Sequence, residues 1–374
     1  MAASTNTKLN ALESMRGIAA LSVAIYHCRI GIFSDLTFIS NAWMMVDFFF
    51  VLSGFVIALN YQSTLRSFKD LYNFQLKRFF RLYPLHILTL VIFLAIEILK
   101  YFAEIKFGME ATNPAFTSNN RYSFTSHLFL IQNFTSKDLT WNYVSWSISA
   151  EFYAYFLFAL MLVICGGKER LFVTAAALTA LLSLLALMQL KLSGSYESVY
   201  SGSLRCLYSF FLGVLTLNIY KLIKDQLVIT TSWVALFFIF MSIFAISCLA
   251  SKEGASSLLS SFLFAGTIVA VCLTSHKTFI LKILHFRGLV YLGTISYGVY
   301  MIHPIVWWFL GQISRLLFDY PIVVGKGSLV GVPTNIMLET LVVFVGLMIT
   351  LCLSKLSFDF IEIRASNLRH RFLL

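Results

Sequence analysis

Runs such as Leu88–Ile98 and Val342–Leu353 are apolar almost without interruption, and runs of this kind leave a chain few ways to fold. In hydrocarbon no water satisfies a backbone N–H or C=O, so a crossing segment must be a helix or a strand of a closed barrel. Barrel strands alternate apolar and polar residues; these runs do not, and the expected fold class is all-α. Composition agrees, with 59% hydrophobic and 12% charged residues, where soluble domains carry about 25% charge. A crossing helix needs about 20 residues. Windows of that kind lie at 12–33, 43–62, 79–102, 143–165, 171–190, 199–220, 227–250, 257–275, 285–310 and 336–358. The expectation is a single integral-membrane domain over residues 1–374, a polytopic helical bundle of about ten transmembrane helices. The first window carries Arg16 and His27 and lacks a small-residue cleavage site, so it reads as a retained span rather than a signal peptide.

Lysine and arginine set the orientation of such a bundle. With the N-terminus inside, the inner segments hold 17 of the 28 basic residues and the outer ones 10, Arg16 lying within the first window. Both termini are therefore expected in the cytoplasm and the chain in the inner (plasma) membrane. The net charge of +11 suits an anionic inner leaflet and gives no reason to invoke nucleic acid. Two outer connections are long, at about 103–142 and 311–335. The first is polar and aromatic over Thr117–Ser126 and reads equally as an acceptor-facing lid or a solvent loop. Six cysteines stand singly, with no CxxC pair or Cys/His cluster, so no metal site is signalled.

An ionisable side chain inside a span is costly unless paired or hydrated, and each is a candidate for function. His27, Asp47, Glu151, Arg205 and His303 sit in five different windows, and the orientation above places all five in the outer third of the bilayer. One polar cavity is the economical reading, with opposite charges offsetting each other's desolvation. A second level lies at the inner face, where Arg16 opens the first window and Arg78 and Arg81 open the third. Three residues apart, Arg78 and Arg81 share a helix face and suit a forked grip on phosphate that lysine cannot copy; basic residues at an inner boundary also occur for topology alone. Arg16 and His27 are eleven residues apart, three helical turns and about 16 Å of rise, on one face. A ligand with an anionic head inside and a reactive end reaching outward fits that line, and the pantetheine arm of coenzyme A has comparable reach.

Six segments, in order, resemble the acyltransferase-3 family of bacterial membrane proteins that O-acylate surface and exported polysaccharides. They are Leu9-Asn-Ala-Leu-Glu-Ser-Met-Arg-Gly-Ile-Ala-Ala20, whose Arg16 and His27 fit the family's Arg–ten residues–His pattern; Val46-Asp-Phe-Phe-Phe-Val-Leu-Ser-Gly-Phe55; Arg78-Phe-Phe-Arg-Leu-Tyr-Pro84; Trp146-Ser-Ile-Ser-Ala-Glu-Phe-Tyr153; Arg205 with Phe210-Phe-Leu-Gly213; and Ser296-Tyr-Gly-Val-Tyr-Met-Ile-His-Pro304. One departure is Ile363 in Phe360-Ile-Glu-Ile-Arg364, where the family usually has proline. The resemblance implies an acyl-CoA donor, acetyl-CoA first among them, and a hydroxyl of a lipid-linked or exported polysaccharide as acceptor. His27 is then the expected general base, since imidazole titrates near neutrality. Glu151 or Asp47 would orient it, and the sequence does not choose between them. Arg205 would balance the carboxylates or stabilise an oxyanion. Arg16, Arg78 and Arg81, with Tyr83 on the same run, would hold the coenzyme A phosphates. His303 joins the catalytic set on its level in the membrane. Ser53 reads as a hydroxyl satisfying its own helix, and Gly54 as a point of close helix packing. The alternative is a secondary transporter, which also buries ionisable groups but shows internal repeats and broken helices; neither is legible in the sequence.

Overall fold

The computed structural model describes residues 2–28, 30–33, 36–108, 113–135, 138–192, 199–248, 255–318 and 336–372. The outer connection expected at 311–335 falls mostly outside them. Among the described residues the chain is helical, with one isolated bridge between Ile229 and Thr274 and no strand. The principal helices are α1 (Ala2–Tyr26), α2 (Met45–Tyr61), α3 (Phe68–Phe107), α4 (Trp146–Ile164), α5 (Glu169–Leu192), α6 (Val199–Ile223), α7 (Trp233–Cys248), α8 (Ser260–Leu273), α9 (Arg287–Thr294), α10 (Ser296–Phe318) and α11 (Ile336–Ser357).

Six segments are long and apolar enough to cross a membrane, at 42–61, 68–107, 143–164, 169–191, 201–223 and 336–368; the pair α9–α10 makes a seventh if counted as one bent span. Every expected window holds helix, but four differ in kind. The first, 12–33, holds most of α1, which is not among the segments apolar enough to cross. Windows 227–250 and 257–275 hold the shorter α7 and α8, of 16 and 14 residues. At about 1.5 Å per residue each falls short of the roughly 30 Å hydrocarbon core. Window 285–310 is a broken helix bent by 69° between Thr294 and Ser296. This corrects the expectation that no helix is broken. The hydroxyl of Ser296 donates to the Gly293 carbonyl (2.7 Å), satisfying a group that the break leaves outside the helical ladder.

Local chemistry explains the unexpected length of α3. Ser67 and Asp70 form a capping box, each side chain accepting from the other's backbone N–H, eleven residues before the expected window. Gly108 ends the helix in the left-handed region at φ 60°. Forty residues make about 60 Å, so α3 extends well beyond the hydrocarbon. The chain that follows folds back against it. The Tyr83 hydroxyl donates to the Leu128 carbonyl (3.0 Å), and His86 Nε2 donates to the His127 carbonyl (2.9 Å). His86 is thus buried against this segment.

Helices α2 and α6 run parallel and in backbone contact. A methyl group at Gly54 would lie 1.9 Å from the Phe210 carbonyl oxygen, and one at Gly213 would lie 2.0 Å from that of Val51. Above and below this crossing, Asp47 meets Arg205 and Gln62 Nε2 donates to Asn218 Oδ1 (2.9 Å), so polar pairs hold both ends in register. Because the obstacles are backbone atoms, Gly54→Ala should force the helices apart and destabilise the fold by about 1–3 kcal/mol. A lower thermal midpoint of the detergent-solubilised variant, followed by size-exclusion chromatography, is the expected result. An unchanged midpoint would mean that the contact is not tight.

Candidate functional site

A cavity of about 430 Å³ opens among α1, α2, α3, α4 and α10. Its wall carries Arg16, Arg78 and Arg81 together with Glu151, Ser53, Ser147, Ser296, Tyr297 and Tyr300. The three arginines expected to bind an anion therefore share one space, and Glu151 shares it with them. Tyr83 is not part of that wall; it stacks on Phe79 (4.4 Å between ring centroids) and ties α3 to the segment at Leu128.

The arginines differ in their neighbours. Arg16 Nη1 donates to Glu13 Oε1 at 2.5 Å, one turn back along α1. Arg81 lies within electrostatic reach of Glu362, on a π turn (Phe358–Glu362) that continues α11. Among the described residues Arg78 has no carboxylate within ion-pair distance. Its guanidinium lies 5.7 Å from the ring centres of Tyr61 and Phe74 and 5.8 Å from that of Tyr155, and its buried Nε has no hydrogen-bond partner. Aromatic faces stabilise a cation without neutralising it, which leaves Arg78 with positive charge to offer a ligand.

Glu151 Oε1 accepts hydrogen bonds from both the Ser53 and the Tyr155 hydroxyls. Ser53 thus turns away from its own helix toward the cavity, contrary to the sequence reading. Ser147, Glu151 and Tyr155 recur every four residues on α4, a polar stripe in an otherwise apolar helix. That four-residue spacing is the sequence signal that marks Tyr155 and Ser147.

The remaining expected residues form two other groups. Asp47 and Arg205 make a two-pronged buried ion pair, with Arg205 Nε donating to Oδ1 at 3.2 Å and Nη2 to Oδ2. The guanidinium also lies over the Trp43 ring, 4.6 Å from its centre. His27 and His303 form the other group. Their rings stack at 5.0 Å, with His303 Nε2 3.1 Å from His27 Nδ1. His303 Nδ1 donates to the Val299 carbonyl (3.0 Å), and His27 Nδ1 stands 3.0 Å from the Val23 carbonyl. Tyr143 flanks the pair, 4.9 Å from His27 between ring centres.

The connection leading into α4 packs beside the histidine pair. His127 is buried there, near Thr140 Oγ1 (3.1 Å) and Ser145 Oγ (3.3 Å). Burial, and then the neighbouring His86 ring, lower its pKa to about 3, so it is neutral at physiological pH. Asn142 Nδ2 donates to the Met301 carbonyl (2.9 Å), and the Tyr300 hydroxyl donates to the Val144 carbonyl (3.1 Å). These bonds draw the segment inward beside the histidine pair, so it is not an ordinary solvent loop.

The ion pair yields a test of its own. Asp47→Leu leaves Arg205 buried without its carboxylate and should cost about 3–5 kcal/mol; adding Arg205→Met should recover most of that. Reversible denaturation of the single and double variants in mixed micelles measures both. Equal stability of the two would show that the pair is not the coupling.

Compared with known proteins, residues 9–356 match a family model described as an acyltransferase domain. A stretch of 91 residues, 24% of the chain, is 38% identical to "Protein 2 in picA locus" of Rhizobium radiobacter and spans 46% of that relative's length. No solved structure matches.

Proposed function

The chain belongs to the acyltransferase-domain family, and from that premise we propose that it moves an acyl group, acetyl first among them, from cytoplasmic acyl-CoA to a hydroxyl of a lipid-linked or exported polysaccharide. In this reading it is a multi-pass protein of the inner membrane, with about ten spans and both termini in the cytoplasm. One observation carries the mechanism: α1 joins the arginine-lined cavity, at Arg16, to the histidine pair, at His27. The donor's phosphates sit on Arg78, with Arg16 and Arg81 beside it, and the pantetheine arm runs along the cavity toward α10.

Hydrogen bonding supports a particular base. A carbonyl oxygen only accepts, so the contact with Val299 puts the His303 proton on Nδ1 and makes Nε2 an acceptor. His27 Nδ1 then faces two acceptors, the Val23 carbonyl and His303 Nε2, and carries the His27 proton. The lone pair of His27 falls on Nε2. As the acceptor oxygen attacks the thioester carbonyl, His27 Nε2 takes the hydroxyl proton. The tetrahedral intermediate collapses, the C–S bond breaks, and the same proton passes to the departing coenzyme A sulfur. His303 supplies the orientation that triad logic would assign to a carboxylate. Glu151 balances the arginines and holds Ser53 and Tyr155, while Asp47 and Arg205 brace α2 against α6 beside the site.

The broken α9–α10 helix is the feature that favours the alternative, a transporter. The two readings part in a transfer assay with radiolabelled acetyl-CoA and native membranes as the source of acceptor. Label entering the glycan fraction is expected; retention of all label on coenzyme A would refute the enzyme. His27→Ala should lower turnover per folded molecule by about 10²–10⁴ with acetyl-CoA binding retained. His303→Ala should also slow transfer without weakening donor binding. Wild-type turnover in folded His27→Ala protein would remove His27 from the mechanism.

Donor binding gives a separate prediction. Arg78→Lys keeps the charge but loses the forked donors and the planar fit among the three rings, so affinity for acetyl-CoA should fall about tenfold or more. Arg81→Lys should cost less, because Glu362 already offsets part of that charge. Isothermal titration of the purified variants measures both, and parental affinity in Arg78→Lys would assign the arginine to topology alone.

A further inference from the structure

Neither His27 nor His303 is among the residues that line the cavity; Tyr300 lies at the end of it that faces them. The Tyr300 ring lines the cavity on one side and on the other lies 6.1 Å from the His303 ring, which follows one helical turn later on α10. Its hydroxyl is anchored twice, to Ser147 Oγ at 2.8 Å and to the Val144 carbonyl at 3.1 Å, so the ring cannot swing aside without breaking buried hydrogen bonds. Phe49 of α2 closes the same end, edge-on to Tyr300 at 5.9 Å. Phe49 has no polar anchor, and its ring contributes only volume.

This arrangement constrains the donor. With the phosphates at Arg78 and the base at His27, the thioester carbonyl comes to lie against Tyr300. Whatever extends beyond that carbonyl must fit in the space that Phe49 and Tyr300 leave. We propose that Phe49 and Tyr300 limit the length of the transferred acyl chain, admitting a short acyl group and excluding longer ones. The proposal rests on the acyl-CoA reading above and adds to it the residues that set acyl specificity. Phe49 is the adjustable side of the restriction; Tyr300 is the fixed one. In a fitted apolar site one methylene is discriminated by roughly 10-fold or more, so a restriction of this kind is legible in kinetics.

The test compares acetyl-CoA, butyryl-CoA and hexanoyl-CoA as donors, with native membranes supplying the acceptor, for the parent, Phe49→Ala and Phe49→Leu. The parent is expected to prefer acetyl-CoA. Phe49→Ala should raise the butyryl-to-acetyl ratio of kcat/KM about tenfold or more, with Phe49→Leu intermediate and available should the alanine variant fold poorly. A structural role for Phe49 would lower transfer from all three donors alike and leave the ratios unchanged, and that result overturns the proposal. A parent that uses hexanoyl-CoA as readily as acetyl-CoA overturns it too. If the folded parent transfers none of the three, the acyl-CoA reading itself fails; altered overall activity with constant ratios removes only the specificity assignment.

Discussion

A charge inside hydrocarbon must find its partner within the same bundle, and the ion pair of Asp47 with Arg205 is where this requirement organises the protein. The pair forms because α2 and α6 approach until their backbones touch, which only glycine at 54 and 213 allows. That approach fixes the face of α2 that turns to the cavity. Ser53 and Phe49 then lie on the cavity wall, and α4 packs alongside with Glu151, Ser147 and Tyr155. A buried polar pair thus helps determine how three helices surround the cavity.

Charge is distributed unequally around that site, and the inequality gives it direction. Arg16 and Arg81 each have a glutamate at hand, whereas Arg78 is surrounded by aromatic rings and has no carboxylate within ion-pair distance among the described residues. An anion therefore gains most at Arg78. At the far end the histidines are held by carbonyls and by each other, contacts that orient both rings.

The break between α9 and α10 connects these ends. A straight helix through 285–310 could not both pack α9 against α1 near Glu13 and carry Tyr300 and His303 past the cavity. The break lets α9 cross α1 at Gly17 and Gly293, while α10 starts at the cavity wall and rises to the histidines. The inward-folded connection before α4 completes the enclosure through Asn142 and Tyr143.

The helical class, the position of nearly every apolar segment and the acyltransferase kinship were legible in the sequence, because hydrophobic runs are local features with few permitted outcomes; the single polar cavity expected of His27, Asp47, Glu151, Arg205 and His303 was not, and the structure divides them into three groups. The sequence puts His27 and Glu151 at one level, yet Glu151 turns to the arginine cavity and His27 to His303, since position along a helix gives height but not azimuth. The length of α3 was partly legible in Ser67 and Asp70, whose capping box begins the helix outside the membrane. The kink at Ile295 was hidden because no proline marks it, and Ser53 was misassigned because a serine can satisfy its own helix or a neighbour's carboxylate equally well. Which of the two it does depends on how α2 rotates against α4 and α6, and that rotation is set by contacts between residues about 100 and 160 positions apart, which only the packed bundle brings together.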